Sequence, residues 1–157
     1  MIQKIIMNRL LVLLFSLSSM AAQASLTTDL QMLKTDLEQI NSQLVAFSFN
    51  QQNSCTQLGT LNTSIEDYLD TMEMVYQQMT SPLSISSEDM TSLDDLTSLS
   101  MSMAGEAVRL SWELRTMEDV ADLFEYRAAL SAMLRLSDDI GSMADRILEM
   151  ADRILIM

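Results

Sequence analysis

The sequence predicts an all-α protein, and three observations carry that prediction. Chain breakers are scarce: the 157 residues hold one proline, Pro82, and three glycines, Gly59, Gly105 and Gly141. Little therefore interrupts a helix. Apolar residues recur in alternating steps of three and four, the spacing that lines up one stripe of a helix. The last quarter is a strict seven-residue repeat. The expected architecture is an antiparallel helical hairpin followed by a long C-terminal coiled-coil helix, with an elongated four-helix bundle as the alternative.

Residues 1–24 read as a secretory leader. Lys4 and Arg9 provide a positive start, and Leu10 to Phe15 begin an apolar run softened by Ser16, Ser18 and Ser19. Ala22-Gln23-Ala24 offers the small-x-small pattern for cleavage after Ala24. The run is shorter than the ~20 residues that span a bilayer. An exported protein, periplasmic or extracellular, with a single mature domain over 25–157 is the expectation.

The first mature helix is expected over about 26–49. Leu26, Leu30, Leu33, Leu37, Ile40, Leu44 and Phe47 form its seam, separated by polar residues such as Asp29, Lys34, Asp36 and Glu38. Residues 50–56 lack an apolar rhythm and read as a connection. A second helix over about 57–80 carries Leu58, Leu61, Ile65, Tyr68, Met72, Val75 and Met79. Two equal amphipathic helices joined by a short polar loop fold back on each other.

Thr80-Ser81-Pro82 ends the second helix, because proline disfavours helical geometry in the residue before it. Ser87, followed by Glu88 and Asp89, reads as an N-cap with acids in the first turn. The third seam runs through Leu93, Leu96, Ser100, Met103, Ala107, Leu110, Leu114 and Met117. Thr116 to Asp119 resembles a capping sequence. No Gly, Pro or Asn lies between residues 106 and 140, however, so one continuous helix over 88–157 is favoured.

The heptad repeat of 133–157 aligns Met133, Ile140, Ile147 and Ile154 at position a, and Leu136, Met143, Met150 and Met157 at d. Ser137, Ala144 and Ala151 fall at e, while Leu134, Leu148 and Leu155 fall at b. The apolar arc spans about 160°, wider than a two-stranded seam needs. Asp138, Asp145 and Asp152, with Arg146 and Arg153, are expected on the opposite side, where Glu149 has the spacing to pair with Arg153. The earlier phase through Ala121, Phe124, Ala128 and Ser131 slips before Met133, which changes the supercoil locally or marks where one packing partner gives way to another.

Composition narrows the chemistry. There is no histidine, which removes imidazole acid–base catalysis, His-assisted nucleophiles and the usual zinc and di-iron sites. No glycine-rich phosphate loop, EF-hand loop or nucleophile elbow occurs. The neighbouring carboxylates Asp94-Asp95 and Asp138-Asp139 diverge by about 100° on a helix. No enzyme and no cofactor are expected. Without Lys4 and Arg9 the mature chain has seven basic and 22 acidic residues, a net charge of −15, which repels nucleic acid.

Methionine is abundant. Met72-Glu-Met74 and Met101-Ser-Met103 resemble short thioether clusters suited to Cu(I). Most methionines occupy seam positions, where flexible apolar filling explains them. Cys55 stands alone, so no intrachain disulfide forms, and it is a candidate for an intermolecular one. Asn62-Thr-Ser64 matches a glycosylation acceptor inside an expected helix, which argues against its use.

The expected function is non-enzymatic: coiled-coil self-association, or docking to a partner helix, through Met133, Leu136, Ile140, Met143, Ile147, Met150, Ile154 and Met157. The reasoning is one of area, since a helix over 88–157 is about 105 Å long and outruns the hairpin. Alternatives are attachment of 133–157 to a membrane surface, disfavoured by its acidic polar face, a helical holdase chaperone, and a methionine Cu(I) site.

Overall fold

The computed structural model describes residues 26–49, 53–79, 85–117 and 123–156. All regular structure among them is helical: α1 over residues 26–46, α2 over Ser54–Gln78, α3 over Ser87–Thr116 and α4 over Leu123–Ile156. The expected leader, residues 1–24, lies outside the described residues, as does Met157.

The all-α class is as the sequence predicts, and the arrangement is the four-helix bundle. The favoured single helix over 88–157 is corrected to two, α3 and α4, which pack alongside each other. Burial overrides the missing turn residues here. A straight helix would leave one of its two seams wet, at about 1.5–3 kcal/mol for each large apolar side chain, whereas folding back covers both. Locally, the Thr116 hydroxyl donates to the Glu113 carbonyl at 2.7 Å and the Met117 N–H turns back to the Leu114 carbonyl at 3.1 Å. These bonds end α3 without glycine or proline. The register change also belongs to this turn: Ala128 and Ser131 are exposed, while Ala129 is buried in phase with Met133.

Cross-helix contacts give the order of the helices. Thr27 Oγ1 donates to Asp89 at 2.7 Å, Gln31 Nε2 to Ser92 Oγ at 3.0 Å, and Lys34 Nζ pairs with Asp95 at 2.6 Å. Residue numbers rise together, so α1 and α3 run parallel. Asn62 Nδ2 donates to the Ala132 carbonyl at 3.1 Å, and Glu66 and Glu73 pair with Arg135 and Arg146, so α2 and α4 also run parallel. The Tyr68 hydroxyl donates to the Leu33 carbonyl at 2.9 Å, joining α2 to α1. Burial, with the charge of Asp36 adding, pushes this phenol well above the ordinary tyrosine range, so it stays a neutral donor. α4 packs on both α2 and α3, which do not pack on each other. Around the bundle the helices therefore follow α1, α2, α4, α3, with α2 and α3 on a diagonal.

Each seam points into this square. Leu30, Leu33, Leu37 and Leu44 of α1, Leu58, Ile65 and Met72 of α2, Leu96, Met103 and Leu110 of α3, and Leu136, Met143 and Met150 of α4 have no exposed surface. α3 starts one residue earlier than expected. Ser86 is its cap, accepting from the Asp89 N–H at 3.1 Å, while the Asp89 carboxylate accepts from the Ser86 N–H at 3.0 Å. α2 starts at Asn53, whose φ of 66° lies in the left-handed region that asparagine tolerates better than most side chains.

Candidate docking face

The C-terminal heptads divide cleanly once α4 is in place. Met133, Leu136, Ile140, Met143, Ile147, Met150 and Ile154, the expected partner seam, are all buried by the chain's own helices. The area argument for an outside partner at these residues therefore lapses, because the seam is already covered. The rest of the wide arc is not: Leu134 is 61% and Leu148 57% exposed.

The polar residues of the repeat divide as well. Arg146 and Arg153 do not stand with the aspartates on the outer face but are half-buried along α2. Arg153 donates to the Met79 carbonyl at 3.1 Å, and Glu149 pairs with Arg146 rather than with Arg153.

On α3 a second stripe becomes visible. Asp94, Ser98, Met101, Gly105, Val108, Trp112 and Arg115 follow one another in steps of 4, 3, 4, 3, 4 and 3, and every one is exposed. Met101 is 70%, Trp112 63% and Val108 57% exposed. Its members follow Leu93, Ser100, Ala107 and Leu114 by one residue and Leu96, Met103 and Leu110 by two, so the stripe lies on the outer face of α3, with Asp94, Met101, Val108 and Arg115 on the side towards α4. Ser111 and Arg115 there line a cleft with Leu130 and Leu134. Counting back six residues from Ser111 and on seven from Leu134 brings Gly105 and Gly141 to about the same level. A Cβ built at either would meet nothing within 4 Å.

The result is an uncovered apolar surface on the outer face of α3 and beside its groove with α4. Met101 and Val108, on the side of α3 that Arg115 shares, and Leu134 and Leu148 of α4 flank the groove, while Gly105 and Trp112 stand further round on the outer face of α3. From Leu96 to Gly105, α3 carries no charged residue. The Arg115 guanidinium lies 5.3 Å from the Trp112 ring centroid and closes one end. Exposed apolar residues scattered singly are unremarkable, but a contiguous strip is a mark of an interaction surface.

Other candidate positions do not converge. Met72 and Met103 are buried while Met74 and Met101 are exposed, so each Met-x-Met pair is split between the core and the surface. Among the described residues no three His, Cys, Asp or Glu side chains gather as a metal site. Cys55 is half-buried at the end of the bundle, its sulfur 4.0 Å from the Glu125 carbonyl oxygen. The cleft beside it, about 390 Å³ and lined by Phe49, Leu114, Tyr126 and Ala129 among others, contains one carboxylate, Glu125. Asn62 is buried against Ala132, out of reach of a glycan-transferring enzyme in the folded state.

Sequence reading missed the stripe on α3. Its signal was present as a second alternation of three and four, masked by its small and polar members and by the stronger inward seam beside it. Comparison with known families, curated proteins and solved structures finds no match for this chain. No described helix is long and apolar enough to cross a membrane.

Proposed function

We propose that this chain is an exported, non-enzymatic interaction module that docks another helical surface onto its α3–α4 face. The observation that carries this reading is the uncovered strip of Met101, Val108, Trp112, Leu134 and Leu148, beside a core that is otherwise closed. A bundle that satisfies its own seams does not need these side chains outside for folding. Trp is also, with Tyr and Arg, among the residue types enriched where protein interfaces are anchored. The acidic remainder of the surface, on a chain of net charge −13, keeps non-specific contacts away and confines docking to the uncharged strip.

Photo-crosslinking in the producing cell tests the reading. A benzophenone side chain at Val108 or Leu134 should give discrete protein adducts, and the same group at Asp70 on α2 should not. Adducts of equal yield at all three positions, or none at any, would reject the docking face.

A further inference from the structure

We infer that the occupant of this face is a second copy of the chain, packed antiparallel across α3 with the crossing at Gly105; this rests on the docking reading above and names its partner. The stripe on α3 is self-complementary only in that orientation. Asp94 lies 11 residues before Gly105 and Arg115 lies ten after it. At 1.5 Å per residue they stand about 16.5 and 15 Å from the crossing, on opposite sides. An antiparallel copy sets each Asp94 opposite the other copy's Arg115. A parallel copy sets Asp94 on Asp94 and Arg115 on Arg115, which is repulsive at both ends.

Size matches in the same register. Ser98 stands seven residues before Gly105 and Trp112 seven after it, so the small hydroxyl of one copy faces the indole of the other. Met101 faces Val108. Gly105 faces itself, and a glycine at the crossing point lets two backbones approach closely.

The glycines add a separate argument. Glycine inside a helix is about 0.5–1 kcal/mol less favourable than alanine. Nothing within the chain occupies the space of a Cβ at Gly105 or Gly141. Neither is required by the bundle, and Gly105 lies at the centre of the α3 stripe, where the second copy would come nearest. Net charge limits where two copies can meet: two molecules of net charge −13 repel each other across most of their surfaces. The section of α3 between Asp95 and Glu106 is one along which they meet without opposing carboxylates.

The test uses the purified chain carrying Cys55→Ser. Sedimentation at micromolar concentration should show a dimer. Gly105→Cys in this background should form a covalent dimer under mild oxidation, at least tenfold faster than Gly59→Cys, which places a thiol at an equally open helical glycine on α2. Asp94→Arg should weaken the dimer at least tenfold, and Asp94→Arg combined with Arg115→Asp should restore it. Circular dichroism on each variant separates lost association from lost folding. A monomer in sedimentation, equal oxidation rates at the two cysteines, or no recovery in the double variant each overturns the second copy as occupant. If the purified chain is a monomer while Val108 still crosslinks to a different protein in cells, the docking face stands and this inference alone fails.

Discussion

The guanidinium of Arg153 stacks 3.8 Å from the ring centroid of Tyr76, and its Nη1 reaches past the ring to the carbonyl oxygens of Met79, at 3.1 Å, and Tyr76, at 3.3 Å. One side chain of α4 thus holds the C-terminal end of α2, placing a cation where the helix dipole is negative and carbonyls lack helical partners. Arg146 approaches the same ring at 4.4 Å, so Tyr76 packs against two arginines one heptad apart. Arg153→Ala should lower stability by about 1–2 kcal/mol, combining a part-buried cation–π contact with charged hydrogen bonds. Arg153→Lys should recover less than half of that, since an ammonium cannot stack flat and reach both carbonyls. Urea midpoints of the three proteins decide it; a lysine variant as stable as the parent would remove the stack from the account.

Glu113 holds the opposite junction. Its Oε1 accepts from the Ser48 hydroxyl at 2.6 Å and from the Phe49 N–H at 2.9 Å, while Oε2 takes Arg109 Nη1 at 3.0 Å. Arg109 in turn donates to the Phe47 carbonyl at 3.0 Å. The residues following α1 are therefore tied to α3 through one carboxylate. Glu113→Ala should lower stability by about 2 kcal/mol, because the Phe49 N–H loses its acceptor. Amide exchange at Phe49 should accelerate more than exchange in the centre of α3. Uniform acceleration along the chain would show that the tie is not local.

Two leucines on α4, two residues apart, should respond very unequally. Leu136 has no exposed surface and Leu134 is 61% exposed. Leu136→Ala should lower stability by about 2–5 kcal/mol through lost burial and the cavity left behind. Leu134→Ala should change the stability of the isolated subunit by no more than about 0.5 kcal/mol. Thermal unfolding at low protein concentration reads both. A comparable loss at Leu134 would mean that the exposed strip is part of the core.

Much of this fold was legible in the sequence because the seams obey one rule. Leu30, Met72, Met103 and Met143 are buried where alternation of three and four places them. What the alternation does not contain is which seam faces which. The turn after Thr116 has no glycine or proline, so local chemistry favoured continuing the helix. The reversal is driven by covering two seams at once, a term that no short window of sequence expresses. The same blindness affected function. Met133 to Ile154 form a surface awaiting a partner only if α4 runs on beyond the hairpin. With α4 folded back those residues are core, and the apolar side chains left uncovered include Met101, Val108 and Trp112, whose stripe is too mixed in composition to stand out from the sequence alone.

Asp139 gives a prediction whose sign follows from its surroundings. Burial lifts its carboxyl above the usual carboxylate range; Arg135 opposes the shift and Asp138 adds to it. Oδ2 has no hydrogen-bond partner. A carboxyl whose pKa is higher in the folded than in the unfolded chain keeps its proton longer when folded. Its contribution is therefore most favourable below the unfolded value, about 3.9, and is lost as pH rises through the folded value. Asp139→Asn removes that loss. The variant should unfold at a higher temperature than the parent at pH 7, and the difference should shrink as pH falls towards 4. Equal melting temperatures at pH 7, or a gap that widens on acidification, would mean that the carboxylate is stabilised where it sits, with Arg135 outweighing burial.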